Sequence, residues 1–215
     1  NLIRALLAQG HALGDIAYFE RVITLGRQLL DTLSPHTELV HWLEVNAQIS
    51  HAYRDWADYV TGTRELVLSI ESQRRSLEMI SRSDVPTAYA EAQRNIAHAL
   101  VEIGRRSAGF EALSEAVDIC RAELEHTTKL KNSLLWSSLH GNMAKALCLW
   151  AERTNDAAMF AQSAAAYRQA LEVRSRATSA YLWALASVNL ADTLRLWHRV
   201  DARAGLLDEA EACYL

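Results

Sequence analysis

Histidine is the residue type in this sequence whose spacing first suggests metal chemistry. His51 and His98 lie 47 residues apart, each within a stretch that has the apolar spacing of a helix. Helices that pack side by side have axes about 8–10 Å apart, whereas a zinc–nitrogen bond is about 2.0–2.1 Å long. We therefore expect no shared metal ion. Instead, His51 is expected to pair with Asp55, and His98 with Glu102, at i,i+4 spacing.

The cysteines and the remaining catalytic patterns do not favour an enzyme. Cys120, Cys148 and Cys213 fall in different predicted helices and form no CxxC pair. Cys120 shares its repeat position with Tyr167, so an inert buried thiol is its expected role. The sequence contains no HExxH motif, no glycine-rich phosphate loop and no recognisable serine nucleophile motif. We predict a protein that is not an enzyme, with no catalytic residues, no metal and no cofactor.

Asparagine forms the most regular pattern in the chain. The segments NLIRAL, QISHAY, NIAHAL, NMAKAL and NLADTL begin at residues 1, 48, 95, 142 and 189, each 47 residues after the one before. An asparagine inside a helix costs roughly a few tenths of a kcal/mol relative to alanine, so four at one position need a reason. Two reasons stay open: the amide binds a ligand, or it bonds a neighbouring repeat and fixes the stacking.

The same period of 47 residues organises the apolar and small residues. All six tryptophans occupy two positions of the repeat: Trp42, Trp136 and Trp183 at one, and Trp56, Trp150 and Trp197 at the other. Small residues recur at two further positions, where they let helices approach closely. Because the tryptophan positions fall with leucine and alanine on the apolar face, we predict that the rings pack in the core.

Each repeat is predicted to be a pair of antiparallel helices of about 18–22 residues. Leu190, Leu194 and Trp197 show the i, i+4, i+7 spacing of one amphipathic face. Turn residues within repeats fall at 10–15, 61–63, 104–109, 155–156 and 201–205, and those between repeats near 34–35, 83–86, 127 and 178. Since one pair cannot bury its face alone, the expected fold class is all-α, an α/α superhelix or solenoid of about four and a half pairs.

Composition and charge are consistent with one helical-repeat domain. Half of the residues are hydrophobic, with 8 Gly and 2 Pro, and the formal net charge of −4 disfavours a duplex nucleic-acid binder. No apolar run approaches the length of a membrane helix. We expect a single domain over 1–215, with repeats 1–47, 48–94, 95–141, 142–188 and the partial 189–215, in a cytoplasmic protein. The chain starts without Met, so we expect a fragment of a longer chain, with uncapped ends that permit self-association.

Two segments resemble the tetratricopeptide repeat (TPR). NMAKAL and NLADTL are similar to the family's first-helix motif, and residues 166–171 are similar to its second-helix motif. The usual repeat has about 34 residues, and this one resembles a longer bacterial variant with a Trp-Ala pair, here Trp183-Ala184. The residue after the motif's Leu, glycine in the family, is Ile3, Ser50, Ala97, Ala144 or Ala191 here.

The resemblance implies a scaffold that binds proteins or peptides on a concave groove lined by the first helices. The groove runs from a charged, histidine-bearing face in the second repeat to an apolar one in the fifth. The predicted partner-binding residues share this face: Gln48, His51, Glu91, Asn95, His98, Asn142, Lys145, Asn189 and Asp192. A non-catalytic scaffold that binds a partner peptide or helix is the expected function.

Two alternatives remain open from the sequence. The chain is suited to be a regulatory or sensor region of a larger bacterial signalling enzyme, such as an NTPase or a caspase-like protease. A helical repeat that binds single-stranded RNA is the second alternative, although the negative charge and the core-facing aromatic residues argue against it.

Overall fold

The computed structural model describes residues 2–214, which form ten α-helices. The helices are α1 (Leu2–Leu13), α2 (Ile16–Thr32), α3 (Leu39–Ala57), α4 (Arg64–Met79), α5 (Pro86–Arg106), α6 (Glu111–Leu124), α7 (Ser133–Thr154), α8 (Ala157–Leu171), α9 (Arg176–Val200) and α10 (Leu206–Tyr214). The all-α prediction is confirmed for this part of the chain. None of these helices is long and apolar enough to cross a membrane.

The chain divides into two compact units, of which the first ends at Arg106. The first unit holds α1 to α5 and the second α6 to α10; within each, a helix packs on the next one along the chain. In the pair α3 and α4, Asn46 contacts Ser76, and Ser50 contacts Ser69 nearer to the turn. The residue numbers of the contacts rise along α3 as they fall along α4, which shows that the two helices are antiparallel.

The predicted turns separate the helices at nearly every expected place. Asp15 and Asp156, at equivalent repeat positions, cap the second helices α2 and α8 by accepting bonds from backbone N–H groups. The turn between repeats that was predicted near residue 178 ends earlier in the structure. Ser175 caps α9 and forms a capping box with Thr178, so Thr178 lies inside the helix. The second helices α2, α4, α6 and α8 have 17, 16, 14 and 15 residues, fewer than predicted.

The predicted small positions lie where paired helices come closest. The hydroxyl of Ser69 donates to the carbonyl of Ser50 at 3.0 Å, and that of Ser163 donates to Ala144 at 2.7 Å. These two bonds are equivalent, two repeats apart. The residues in place of the TPR glycine are almost fully buried at Ser50, Ala97, Ala144 and Ala191. Ser, Ala and Thr side chains are therefore short enough for close packing here.

The prediction that the tryptophans lie in the core is confirmed for Trp197 and too strong for the other five. Trp197 is buried in the second unit, while Trp42, Trp56, Trp136, Trp150 and Trp183 are half-buried. Arg176 lies over the ring of Trp183 at 4.3 Å, and Phe110 stacks on Trp150 with centroids 5.9 Å apart. Trp183 and Trp150 are thus covered at the surface by a cation and by another aromatic side chain.

An arginine at the end of one first helix caps the preceding one. The Arg106 guanidinium donates to the carbonyls of Ala57 at 2.9 Å and Gly62 at 2.7 Å, at the C-terminal end of α3 and in the turn beyond it. Arg153 donates to Gly109 in the second unit at the equivalent position. The last carbonyls of a helix have no partner within it, and they carry partial negative charge, so a cation is well placed there.

We expect Arg106→Met to lower the free energy of unfolding by about 1.5–3 kcal/mol, because several carbonyls lose a charged donor. Arg105→Met is the matched control, since Arg105 is exposed and forms an i,i+3 ion pair with Glu102, and such pairs contribute about 0.2–0.5 kcal/mol. Urea denaturation followed by circular dichroism measures both. Equal losses in the two variants would contradict the capping role.

Candidate functional site

A cavity of about 260 Å³ lies between α3, α4 and α5 in the first unit. Three alanines form part of its wall, Ala47, Ala88 and Ala92, and their short side chains leave the space between the first helices unfilled. The polar groups around it come from all three helices: Glu44, His51, Gln73, Glu91, Arg94 and Asn95. The cavity therefore combines apolar walls with several hydrogen-bonding groups, as ligand sites do.

Two buried amides at this cavity carry unpaired atoms. Gln73 is 3% exposed and Asn95 is 7% exposed, yet Nε2 of Gln73 and Oδ1 of Asn95 have no hydrogen-bond partner. Buried polar groups in proteins are nearly always bonded, because an unpaired one has lost its water without compensation. The side chains that carry this unused donor and this unused acceptor both line the same cavity.

His51 is neutral in this site. Burial is the main cause that lowers the pKa of its imidazole to about 4, and the nearby charges of Arg54 and Arg94 contribute to this value against the opposing effect of Asp55. The predicted pairing of His51 with Asp55 is present only as this electrostatic attraction. The carboxylate of Asp55 instead contacts His11 at 3.0 Å and Arg54 at 3.1 Å. Helical spacing predicted that the Asp55 carboxylate pairs with His51, but in the structure this carboxylate contacts His11 of α1.

Three of the five predicted residues of the first unit border this cavity. His51, Glu91 and Asn95 border it together. Gln48 borders a separate cavity of about 300 Å³, which Glu44 also lines. His98 is half-buried on α5, and its pairing with Glu102 stays a prediction.

In the second unit, the predicted residues lie on α7 and α9. Asn142 and Lys145 are half-buried on α7, and Asn189 is half-buried on α9. Asp192 is exposed and accepts a hydrogen bond from the hydroxyl of Tyr214 at 3.0 Å. This carboxylate therefore already links α9 to α10.

The structure adds Gln73 and Arg94 to the predicted set. Gln73 was missed because it lies on a second helix, outside the predicted groove. Its signal was present in the sequence: glutamine occupies the repeat position held by Cys120 and Tyr167, which are both buried. A polar residue at an otherwise apolar repeat position marks a place where the core is not closed.

Of the three cysteines, Cys120 is buried, and Cys148 and Cys213 are half-buried. Cys120 is fully buried, and burial raises the pKa of its thiol to about 12. Burial also raises the pKa of Cys148, to which the Thr193 hydroxyl donates at 3.4 Å. Thiolates, the reactive form, are therefore disfavoured at both places. Across residues 2–214, no group of three or more His, Cys, Asp or Glu side chains is arranged to hold a metal ion.

Comparison with protein-family models and with curated proteins gives no relative for this chain. Its sequence matches no protein-family model, and no curated protein is significantly similar to it. Function must therefore be inferred from the repeat contacts and from the cavity.

Proposed function

We propose that the chain is a non-catalytic scaffold of the TPR type, which binds a partner peptide or helix in a groove lined by first helices, with α3 and α5 forming the part of it that lies in the first unit. The observation that supports this most directly is the buried, unpaired oxygen of Asn95 beside an open cavity. Of the two possible roles of the asparagine position, an unused acceptor favours ligand binding over repeat stacking.

A TPR-like superhelix is part of the same proposal, and repeated contacts support it. Two kinds of contact recur after a shift of 47 residues: Arg106 to Gly62 with Arg153 to Gly109, and Arg121 to Gln162 with Arg168 to Glu209. Contacts at equivalent positions support a similar placement of one repeat on the next within a unit. A constant step from repeat to repeat generates a solenoid with an extended concave surface.

A peptide suits such a surface for energetic reasons. Its backbone presents both N–H donors and carbonyl acceptors along its length, and a preformed groove loses little conformational entropy when it binds. Gln48, Asn142 and Asn189 occupy the repeat position of Asn95 in the other repeats, and each is half-buried on its own first helix. In this proposal each amide contributes a polar contact to the peptide within its own unit.

The test is peptide binding by the wild type and by an Asn95→Ala/Asn142→Ala double variant. We expect some members of a fluorescein-labelled library of 15-residue peptides to bind the wild type in fluorescence polarisation. The double variant should bind them at least ten times more weakly, which corresponds to about 1.4 kcal/mol.

Gln28→Ala, on the exposed surface of α2, is the matched control and should bind like the wild type. Circular dichroism establishes that all three proteins are equally helical. Undiminished binding by the double variant would refute the asparagine groove, and a library without a single binder would refute the peptide scaffold.

A further inference from the structure

We infer that the cavity between α3 and α5 is a recognition pocket for a primary carboxamide, the group at the end of an asparagine or glutamine side chain. This inference rests on the proposed peptide-binding function, because the carboxamide would belong to the bound peptide. It names the side-chain chemistry that the groove selects at this point.

The unpaired atoms of the cavity define the ligand group. Nε2 of Gln73 needs an acceptor and Oδ1 of Asn95 needs a donor. A primary carboxamide carries both, an oxygen and an NH₂ group, on one planar unit. A ligand of this kind offers one partner for each buried atom from two separate atoms, whereas a hydroxyl would have to serve both from a single oxygen.

Charged side chains fit the cavity less well. A carboxylate offers acceptors only, so it leaves Asn95 unpaired, and it meets the acidic Glu44 and Glu91. An ammonium or guanidinium group offers donors only, leaves Gln73 unpaired and approaches the cationic Arg94. The mixed charges around the cavity thus favour a neutral, dipolar group over either ion.

Size and wall composition agree with one side chain as the occupant. The volume of about 260 Å³ lies below the roughly 300–1,000 Å³ typical of small-molecule sites. Val40 and Leu43 supply apolar contacts from α3, with Val85 before α5. The methylene groups of a glutamine would pack on these residues while its amide reaches the polar end.

The first experiment uses propionamide, which is the end of a glutamine side chain, and compares it with propionate and propylammonium. We expect propionamide to shift the side-chain amide signals of Gln73 and Asn95 saturably in ¹H–¹⁵N spectra. The near-isosteric variants Gln73→Met and Asn95→Leu assign these two signals by their disappearance. Absence of a shift, or an equal shift with propionate, would overturn the inference.

The second experiment uses a library peptide that binds and contains glutamine. Replacing that glutamine by glutamate or by methionine should weaken binding to the wild type about tenfold. Gln73→Met, with unchanged circular dichroism, should lose this preference while it still binds the peptide. If the three peptides bind the wild type equally, the carboxamide pocket is refuted and the scaffold stands. If propionamide binds selectively but no peptide binds, the pocket stands and the scaffold is refuted.

Discussion

Replacement of Phe160 by alanine is expected to lower the free energy of unfolding of the second unit by about 3–5 kcal/mol. Phe160 is 1% exposed and lies in a core with Tyr167, Leu190 and Leu194. Truncation removes a ring from water-free surroundings and leaves a cavity that the rigid helix pairs cannot close. Urea denaturation of wild type and variant, followed by circular dichroism, gives the difference.

Phe110→Ala is the matched control for this prediction. The same chemical change is made at a residue that is 38% exposed and stacks on one face of Trp150. We expect a loss of only about 0.5–1.5 kcal/mol, the range for an aromatic pair. If Phe110→Ala proves as costly as Phe160→Ala, depth in the repeat core does not determine stability in this chain.

Phe160 also shows why much of the fold was predictable. The other repeats hold Phe19, Leu66, Leu113 and Leu207 at the same position. Phe19, Leu66 and Leu113 are buried to 1% or less, whereas Leu207 is exposed. Because the same pattern occurs in five repeats, a position that is apolar in nearly all of them identifies the buried face of a helix more reliably than one helix alone. The turns are identified in the same way. The buried face of a helix follows from the spacing of its apolar residues, and this spacing can be read from the sequence.

Depth and exact helix ends were not predictable in the same way. The period places Trp136 and Trp183 on the inward side of a helix, but not how far the ring extends beyond the neighbouring helix. Ser175 and Thr178 are both suited to cap a helix, and only the capping box in the structure shows which one begins α9. These details depend on contacts between elements.

The candidate site was predictable only in part for the same reason. Asn95 and Glu91 follow from helical spacing on one first helix. Gln73 comes from another helix, and His11 reaches Asp55 from 44 residues away. Spacing along one helix does not show which residue from another helix binds a given carboxylate. Nor does it show which buried amide has no hydrogen-bond partner.

Acidification below pH 6.5 is expected to destabilise the first unit through His51. The folded-state pKa is about 4, lowered from 6.5 chiefly by burial, so the folded protein binds this proton less tightly than the unfolded chain does. The contribution of the neutral imidazole is fully present above pH 6.5 and is lost as the pH falls towards 4. A shift of this size corresponds to about 3 kcal/mol.

The variant His51→Gln isolates this contribution from that of the carboxylates, since glutamine does not titrate. Urea denaturation at pH 7 and pH 4 should show that the wild type loses about 3 kcal/mol more than His51→Gln over this interval. His41→Gln, an exposed histidine on the same helix, should keep the pH dependence of the wild type. An identical pH dependence for His51→Gln and the wild type would show that the imidazole of His51 is not held neutral by its surroundings. Burial among α3 and its neighbours is the main cause of the pKa shift. The difference between the two proteins therefore also reports how well these helices exclude water from the imidazole of His51.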